Sequence, residues 1–162
     1  MTEAIRVRPA LPDDAEAAAA MVAALAAEEG MEPPALDPAR FRRDGFGRRR
    51  RFEALVAELD GAPCGLAILT RGYDSQTAKA GVVLEDLYVA PQARRRGAGR
   101  ALVAAAADLA RRSGGAWVCW HVRPRNVRAQ LFYRSLGIEA ENVDLMGLAG
   151  EAFDRLADRA AG

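Results

Sequence analysis

The strongest constraint on the fold lies in residues 84–102, LEDLYVAPQARRRGAGRAL, where an apolar run gives way to a join rich in glycine and arginine. The apolar run begins at residue 81, and its length and composition predict a strand over 81–89. Small and apolar residues then recur on one helical face over 98–112. A second apolar run of strand length follows at 117–122. Two strands joined through a helix predict a βαβ unit whose strands are parallel.

The remaining elements are predicted from apolar periodicity and from the glycines and prolines between the periodic segments. Asp13 and Glu16 have the spacing of a capping box that opens a helix, and Asp60-Gly61 favours a hairpin turn. The predicted elements outside the βαβ unit are strands at 5–8, 54–59, 64–70 and 143–148, helices over 13–30, 38–46 and 126–137, a loop at 71–80 and a last helix from about 151. Because tight connections make the middle strands antiparallel, we expect a mixed α/β sheet with helices on its faces.

Composition and charge narrow the class of protein. A chain of 162 residues of which 51% are hydrophobic can bury a substantial core, so we expect one domain over 1–162. The net charge of +1 argues against a nucleic-acid-binding protein, which usually carries a strong basic excess. The N-terminus has no long apolar run, so we expect no signal peptide and no membrane span. The two cysteines lie far apart in the chain, which fits a reduced cytoplasmic compartment. Cys64, Cys119 and His121 match no metal-ligand spacing, and we expect no metal.

The join between strand and helix has the chemistry of an anion-binding loop. A helix N-terminus leaves backbone N–H groups unpaired and carries a partial positive charge. Gly97 and Gly99 allow a phosphate to approach the backbone, and Arg94, Arg96 and Arg100 add charge, so a pyrophosphate suits the loop. The segment lacks the G-K-[ST] ending of a Walker loop and the third glycine of the Rossmann fingerprint. Taken alone, the G-x-G is equally well explained as a structural turn.

Two blocks together resemble the GNAT acetyltransferase superfamily. RRRGAG at 94–99 is similar to that family's acetyl-coenzyme-A loop, [QR]-x-x-G-x-[GA]. NVRAQLFYRSLGI at 126–138 is similar to its second block, N-x-x-A-x-x-F-Y-x-x-x-G-F. The resemblance covers nearly the whole chain. It implies a mixed, mostly antiparallel sheet flanked by helices, with a central βαβ unit that binds acetyl-CoA, and it implies an N-acetyltransferase that is a homodimer.

Shorter segments are similar to the diamine and polyamine acetyltransferase branch, the spermidine/spermine- and thialysine-type enzymes. These segments are DGFG at 44–47, AELDG at 57–61, YDS at 73–75, LEDLYV at 84–89, WHV at 120–122 and GEAF at 150–153. One departure stands out. The branch often has Leu-Asp-Trp-Asn after its Trp-x-Val, whereas this chain has RPRN at 123–126. A basic turn in place of an acidic residue weakens the case for a polycationic acceptor, and Arg123 and Arg125 favour an acceptor that carries a carboxylate.

The resemblance also implies which residues bind the cofactor. The pantetheine arm is expected on the strand at 87–89 and the pyrophosphate on the backbone amides of 95–100. The predicted cofactor-binding residues are Leu87, Tyr88, Val89, Arg94, Arg95, Arg96, Gly97, Ala98, Gly99, Arg100, Asn126, Phe132 and Tyr133. Asn126 has an alternative interpretation as a helix N-cap only, and Arg95 as a residue that contributes only its amide.

Two residues are predicted to be catalytic. Tyr133 is interpreted as the general acid that protonates the departing thiolate; the alternative is a core tyrosine on the apolar face of its helix. Glu85 is interpreted as the group that binds the acceptor ammonium and relays its proton; the alternative is a carboxylate in a strand salt bridge. Glu85 and Asp86 are adjacent on a strand and are expected to face opposite sides of the sheet, so one of them can serve the site.

The acceptor is predicted to contact five residues, with core packing an equal alternative for Trp120. These residues are Glu85, Asp86, Tyr73, Ser75 and Trp120. The leading hypothesis is acetyl transfer to a primary amine of a small diamine, a polyamine or a basic amino acid. The transfer is expected to be direct, because Cys64 and Cys119 have no basic partner that would make them nucleophiles. The alternatives are a peptide, protein or antibiotic amine as acceptor, and a non-catalytic acyl-CoA sensor. A nucleic-acid module built on the arginine runs is the least favoured.

Overall fold

The computed structural model describes residues 4–141 and 143–161. The chain divides into a larger compact unit that ends at Val127 and a smaller one that begins at Arg128. The larger unit contains a sheet with helices on both faces, and the smaller one is helical. The expectation of a single domain over 1–162 stays a prediction.

Most elements have nearly the bounds that the sequence predicts. The strands are β1 (Ile5–Pro9), β2 (Glu53–Leu59), β3 (Ala62–Asp74), β4 (Lys79–Val89) and β5 (Trp117–Cys119). The helices are α1 (Ala15–Glu28), α2 (Pro38–Gly45), α3 (Ala98–Arg112), α4 (Val127–Ser135) and α5 (Gly150–Asp158), with 3-10 turns at Pro12–Asp14, Pro91–Ala93 and Arg159–Ala161. None of the helices in the described ranges is both long and apolar enough to cross a membrane.

The sheet has the order β1-β2-β3-β4-β5. The first four strands are antiparallel neighbours, and β5 runs parallel to β4, to which α3 connects it. This confirms the predicted mixed, mostly antiparallel sheet with a central βαβ unit. One side of the sheet, the α3 face, packs Leu69, Val82 and Leu84 against Leu102 of α3. The other side, the α1 face, packs its residues against α1 and α2 around the fully buried Phe41.

A β-bulge interrupts the register of β3 and β4 at Glu85. Ile68 lies opposite Asp86 and Leu69 lies opposite Leu84, so Glu85 is the extra residue on β4. Leu84 and Leu87 both pack on the α3 face, although residues three apart point to opposite faces in a regular strand. Glu85 and Asp86 therefore both lie on the α1 face. The expectation that they face opposite sides of the sheet is wrong, because the bulge adds one residue to the alternation.

The predicted loop at 71–80 is wrong for most of its length. The segment from Arg71 to Asp74 pairs with Lys79 to Val82, so β3 and β4 form one long hairpin. Only residues 75–78 form the turn, in which the Asp74 carboxylate accepts hydrogen bonds from the Gln76 N–H and the Thr77 hydroxyl. The glycines that favour a loop in the sequence have a packing role instead: the Trp117 indole lies over Gly72 and Gly81.

Three other local expectations differ from the structure. The strand predicted at 117–122 ends at Cys119, and residues 143–148 form no strand, with the apolar side chains among them exposed. Asp13 and Glu16 do not cap α1. Asp14 takes that position, and the Glu16 carboxylate pairs with Arg42 of α2 at 2.7 Å.

Asp14 instead joins the start of α1 to the sheet. Its buried carboxylate accepts hydrogen bonds from the Arg8 guanidinium at 2.7 and 2.9 Å and from the Leu11 N–H at 2.6 Å. Arg8 also donates to Glu58 on β2 at 2.7 Å. The Arg8 hydrogen bonds hold the pKa of Asp14 below its usual value against the opposing effect of burial. These three charged side chains therefore connect β1 and β2 to the start of α1.

The close contact of Trp117 with Gly81 yields a stability prediction. A Cβ on Gly81 would lie 2.1 Å from Trp117 Cδ2, so Gly81→Ala must displace the ring and its 3.1 Å Nε1–H hydrogen bond to the Lys79 carbonyl. We expect a loss of about 2 kcal/mol, which lowers the melting temperature by roughly 4–8 °C. Gly147→Ala is the control, because an added Cβ there meets nothing within 4 Å. Equal melting temperatures for the two variants would contradict this packing.

Candidate cofactor-binding loop and acceptor site

The loop between β4 and α3 forms a concave backbone surface, here called the cradle (residues 94–100). Arg95 and Gly97 have positive φ angles of 63° and 94°, and these two turns bring the chain into the first turn of α3. Only glycine adopts the Gly97 conformation without strain. A Cβ on Gly97 would meet nothing within 4 Å, so the space beside this backbone is open. Glycine is needed here for its conformation, and the open space leaves room for a ligand.

The chemistry of the cradle suits the diphosphate of a coenzyme. The N–H groups of the first turn of α3 have no partners within the helix, and the helix dipole places partial positive charge there. Arg95, Arg96 and Arg100 are exposed around this turn. Ala98 is buried and packs on the α3 face, so only its backbone can contribute. The residues predicted for the pyrophosphate thus lie together on one surface.

Arg94 differs from the other cradle arginines, because its side chain is engaged within the protein. Its Nε–H donates to the Val89 carbonyl at 2.8 Å, and its Nη2 pairs with the Glu28 carboxylate at the end of α1. The guanidinium also lies 5.7 Å from the centroid of the Tyr88 ring. The side chain of Arg94 therefore connects β4, the cradle and α1.

The end of β4 offers an open strand edge next to the cradle. Leu87 and Val89 pack on the α3 face, and Tyr88 is buried on the α1 face. On the side away from β3, β5 pairs only with Gly81 to Val83 of β4. Within the described ranges no strand pairs with that edge after Val83. Backbone groups on such an edge can accept an extended ligand as an added strand, which is how a pantetheine arm is predicted to bind.

The bulge places two carboxylates beside this edge. The exposed Glu85 carboxylate accepts a hydrogen bond from the Thr70 hydroxyl. The pKa of Asp86 is raised, first by burial and then by the negative charges of Glu85 and Glu29. Asp86 is therefore a carboxylate that holds a proton more tightly than usual. Such a group is better suited to accept a proton than an ordinary exposed aspartate.

The turn at 123–126 is attached to the end of α1. The Asn126 Nδ2 donates to the Glu29 carboxylate at 3.1 Å, and the Arg125 Nη2 donates to the Glu29 carbonyl at 2.6 Å. Arg123 forms an ion pair with Glu29 at 3.3 Å. Both arginines are thus engaged with α1. This removes the support that they gave for an acceptor with a carboxylate.

The remaining predicted acceptor residues are not gathered around the bulge. Tyr73 is 67% exposed and pairs with Ala80, five residues along β4 from Glu85. That separation is about 17 Å along the strand. Ser75 lies further out, in the exposed turn of the hairpin. Trp120 packs against the core of the α3 face, as its alternative interpretation has it. Contacts of these three residues with an acceptor stay predictions.

Phe132 and Tyr133 belong to the smaller unit. Both lie on α4 and are half-buried, and their ring centroids are 5.1 Å apart. The Tyr133 carbonyl accepts hydrogen bonds from the N–H groups of Leu136 and Ile138, which close the helix at Gly137. The predicted roles of both aromatic residues in cofactor binding, and of Tyr133 as general acid, stay predictions.

Sequence reasoning missed Glu28 and Glu29, although a signal for them exists. A helix C-terminus carries partial negative charge and favours basic side chains, yet α1 ends in two glutamates with no basic residue in its last turn. Such an end needs cations from elsewhere in the fold. Arg94 and Arg123 supply them. The described residues contain no cluster of three or more His, Cys, Asp or Glu side chains that could hold a metal ion.

The raised pKa of Asp86 predicts an unusual effect on stability. Because its folded-state pKa lies above the unfolded value, folding stability falls as the pH rises through the interval between the two values. Asp86→Asn removes that loss, so we expect the variant to melt above the wild type at pH 7.5 and to show no such gain at pH 4. Glu85→Gln, which removes an exposed charge, should have a smaller effect at pH 7.5. A variant that melts below the wild type at pH 7.5 would show that Asp86 is stabilising when ionised.

The sequence is similar to those of known acetyltransferases. Residues 19–138 match the acetyltransferase (GNAT) family. The chain is 33% identical over 129 residues to thialysine N-epsilon-acetyltransferase of Bos taurus, an alignment that covers 73% of this chain and 76% of that protein. Against the same enzyme of Mus musculus it is 33% identical over 130 residues, with the same coverage.

Solved structures share the fold at lower identity. An integron cassette protein of V. cholerae has a TM-score of 0.78 with 18% identity, over 97% of this chain and 98% of that one. An aminoglycoside acetyltransferase from an uncultured soil metagenomic sample, in complex with sisomicin, has a TM-score of 0.72 with 17% identity, over 90% and 97%. The family match spans most of the chain and includes both the cradle and the bulge. The chain therefore belongs to the GNAT family of acetyltransferases and is an N-acetyltransferase.

Proposed function

We propose that the chain transfers the acetyl group of acetyl-CoA directly to a primary amine of a small diamine, a polyamine or a basic amino acid. The observation that carries the proposal is the pair of carboxylates at the β4 bulge. Glu85 and Asp86 lie on one face of the sheet, beside the open edge of β4 and on the strand that leads into the cradle. This places negative charge for an ammonium ion next to the surfaces suited to the donor.

The open edge of β4 would hold the pantetheine arm of acetyl-CoA, and the cradle would hold its diphosphate. When bound, the cofactor supplies an acetyl group activated as a thioester. The edge contributes backbone N–H groups of residues 87–89, which can bind the arm and polarise a carbonyl oxygen. The cradle contributes the amides of 95–100 with the exposed charges of Arg95, Arg96 and Arg100. By family resemblance alone, Asn126 and Phe132 are also proposed as cofactor-binding residues.

The bulge carboxylates would prepare the acceptor. An alkyl amine with a pKa near 10.4 is almost entirely ammonium at neutral pH and must lose a proton before it attacks. Glu85, exposed at the bulge, would attract the ammonium. Asp86, whose pKa burial raises, is the better of the two as a proton acceptor, directly or through water. Both residues thus have a proposed role in proton removal, whereas the sequence assigns the catalytic role to Glu85 and acceptor binding to both.

Direct transfer is favoured over a covalent acetyl-enzyme. Cys64 is buried on the α3 face, and burial raises the pKa of its thiol. A buried thiol of high pKa carries little thiolate and is a poor nucleophile. Cys119 is exposed at the end of β5, where it pairs with Val83 of β4. The amine is therefore expected to attack the thioester itself.

The acceptor class rests on the relatives and on local charge. The relatives are enzymes named for thialysine, a basic amino acid. The engagement of Arg123 and Arg125 with Glu29 leaves the two bulge carboxylates as the recognition charge for the acceptor. This favours an acceptor with a second cationic group, which diamines, polyamines and basic amino acids all carry. By family resemblance we also propose a cytoplasmic homodimer.

A panel of amines assayed by release of free CoA thiol tests the proposal. Putrescine, spermidine, lysine and thialysine represent the proposed acceptors, and a lysine peptide, a peptide with a free N-terminus and sisomicin represent the alternatives. We expect kcat/KM for at least one proposed acceptor to exceed that of every alternative by about tenfold or more. Turnover confined to a peptide or to sisomicin would overturn the acceptor class. Tight acetyl-CoA binding with no turnover on any amine would favour an acyl-CoA sensor.

The acid role of Tyr133 is tested by Tyr133→Phe. Loss of the hydroxyl should lower kcat by about 100-fold, because the departing thiolate loses its proton donor, and should change the dissociation constant for CoA by less than about twofold. Ser135→Ala, which removes an exposed hydroxyl that donates to the Phe132 carbonyl on the same helix, is the matched control for kcat. An unchanged kcat in Tyr133→Phe would rule out the acid role.

A further inference from the structure

The end of α1 is built against the preference of its own dipole. Glu28 and Glu29 lie where the helix carries partial negative charge, and the last turn has no basic residue. This arrangement costs stability unless cations from other elements compensate it. Arg94 of the cradle compensates Glu28, and Arg123 compensates Glu29. The acidic helix end thus receives one arginine from the cradle and another from the turn that precedes α4.

The Arg94 side chain has the geometry of a brace. Its Nε–H donates to the carbonyl of Val89, the last residue of β4, while its Nη2 reaches Glu28 on α1. The guanidinium also lies over the Tyr88 ring. Only 25% of the Arg94 side chain and 30% of the Glu28 side chain are exposed, so solvent screens this pair less than the surface pairs. The bonds fix the guanidinium in position and orientation.

The brace holds a segment of backbone that needs support. Arg94 directly precedes Arg95, a non-glycine residue in the left-handed region at φ 63°. Such a conformation is unfavourable and persists when its surroundings enforce it. Before the cradle, the Ala90 N–H donates to the Cys64 carbonyl at 2.8 Å, and after it α3 begins. Between these two attachments, the Arg94–Glu28 ion pair connects the cradle to α1.

We propose that Glu28 is a positioning residue for coenzyme binding that acts through Arg94, and that the Arg94 side chain braces the cradle instead of contacting the diphosphate. This inference rests on the proposed function, since it concerns the loop that would bind the coenzyme. It assigns the cradle arginines different tasks. Arg94 shapes the backbone, and the exposed arginines provide charge to the ligand.

A double-mutant cycle on the Glu28–Arg94 pair separates a brace from a direct ligand. We measure the dissociation constant of CoA by calorimetry for wild type, Glu28→Gln, Arg94→Gln and the double variant. Each single change should raise the dissociation constant about three- to tenfold, the effect of losing one hydrogen bond of ordinary strength. The double variant should bind within about twofold of the weaker single variant, because both changes break the same Arg94–Glu28 pair.

Two further variants sharpen the cycle. Arg94→Lys keeps the charge but loses the fork that reaches Val89 and Glu28 together, so it should bind CoA as weakly as Arg94→Gln. Glu16→Gln breaks an exposed glutamate–arginine pair between α1 and α2 and should leave the dissociation constant unchanged. Wild-type affinity in Arg94→Lys, or in Glu28→Gln while Arg94→Gln binds weakly, would overturn the proposal in favour of a direct phosphate contact.

Hydrogen exchange on the ligand-free protein tests the brace without the coenzyme. In Glu28→Gln the hydrogen-bonded amides of Ala93, Arg94 and Ala101 should exchange about tenfold faster than in the wild type, while those of the β2–β3 hairpin keep their wild-type rates. Unchanged exchange at these three amides would overturn the brace. If the wild type itself bound no CoA, the proposed function would fail, and the exchange experiment would still decide whether Glu28 orders the cradle.

Discussion

The β-bulge at Glu85 is the constraint on which the rest of the site depends. The strand β4 must present leucines to α3 along its whole length, and it does so with Leu84 and Leu87, three residues apart. In a regular strand, residues three apart point to opposite faces, so one of the two leucines would leave the α3 face. A neighbouring carboxylate would then point into the apolar core, where an unpaired carboxylate is costly. One extra residue resolves the conflict. It keeps both leucines on the α3 face and leaves Glu85 and Asp86 side by side on the other face.

The same strand then builds the donor side of the site without further long-range contacts. β5 ends at Cys119, so its pairing with β4 stops at Val83, just before the bulge. The open edge, the two carboxylates and the cradle therefore lie within about twenty residues of chain, the length of one strand and one loop. The Trp117 indole, packed over Gly72 and Gly81, fixes the position where β5 enters the sheet and hence how much of the edge is left open.

Local sequence patterns predicted most of the fold and one half of the site. The βαβ unit, the antiparallel middle strands and the cradle depend on apolar periodicity, glycines and prolines, which are visible in the sequence. The bulge could not be predicted, because register is set by the partner strand and LEDL has no residue that marks the extra position. The sequence predicts a loop at 71–80, because the packing of Gly72 and Gly81 against a tryptophan far along the chain is not visible in the local sequence. The apolar residues at 143–148 suggested a strand, but pairing depends on a neighbouring edge, not on composition.

The arginines of the cradle show why charge counts alone mislead. Their number suggested a nucleic-acid surface, and the near-neutral net charge argued against it. The structure supplies a physical reason for the balance, since arginines from distant segments are paired with acidic residues of other elements, such as Arg8 with Asp14 and Arg42 with Glu16. Arg94 follows this pattern, whereas Arg95 and Arg100 remain exposed at the helix N-terminus. An anion that approaches the cradle thus meets a surface whose shape one arginine maintains and whose charge the others provide.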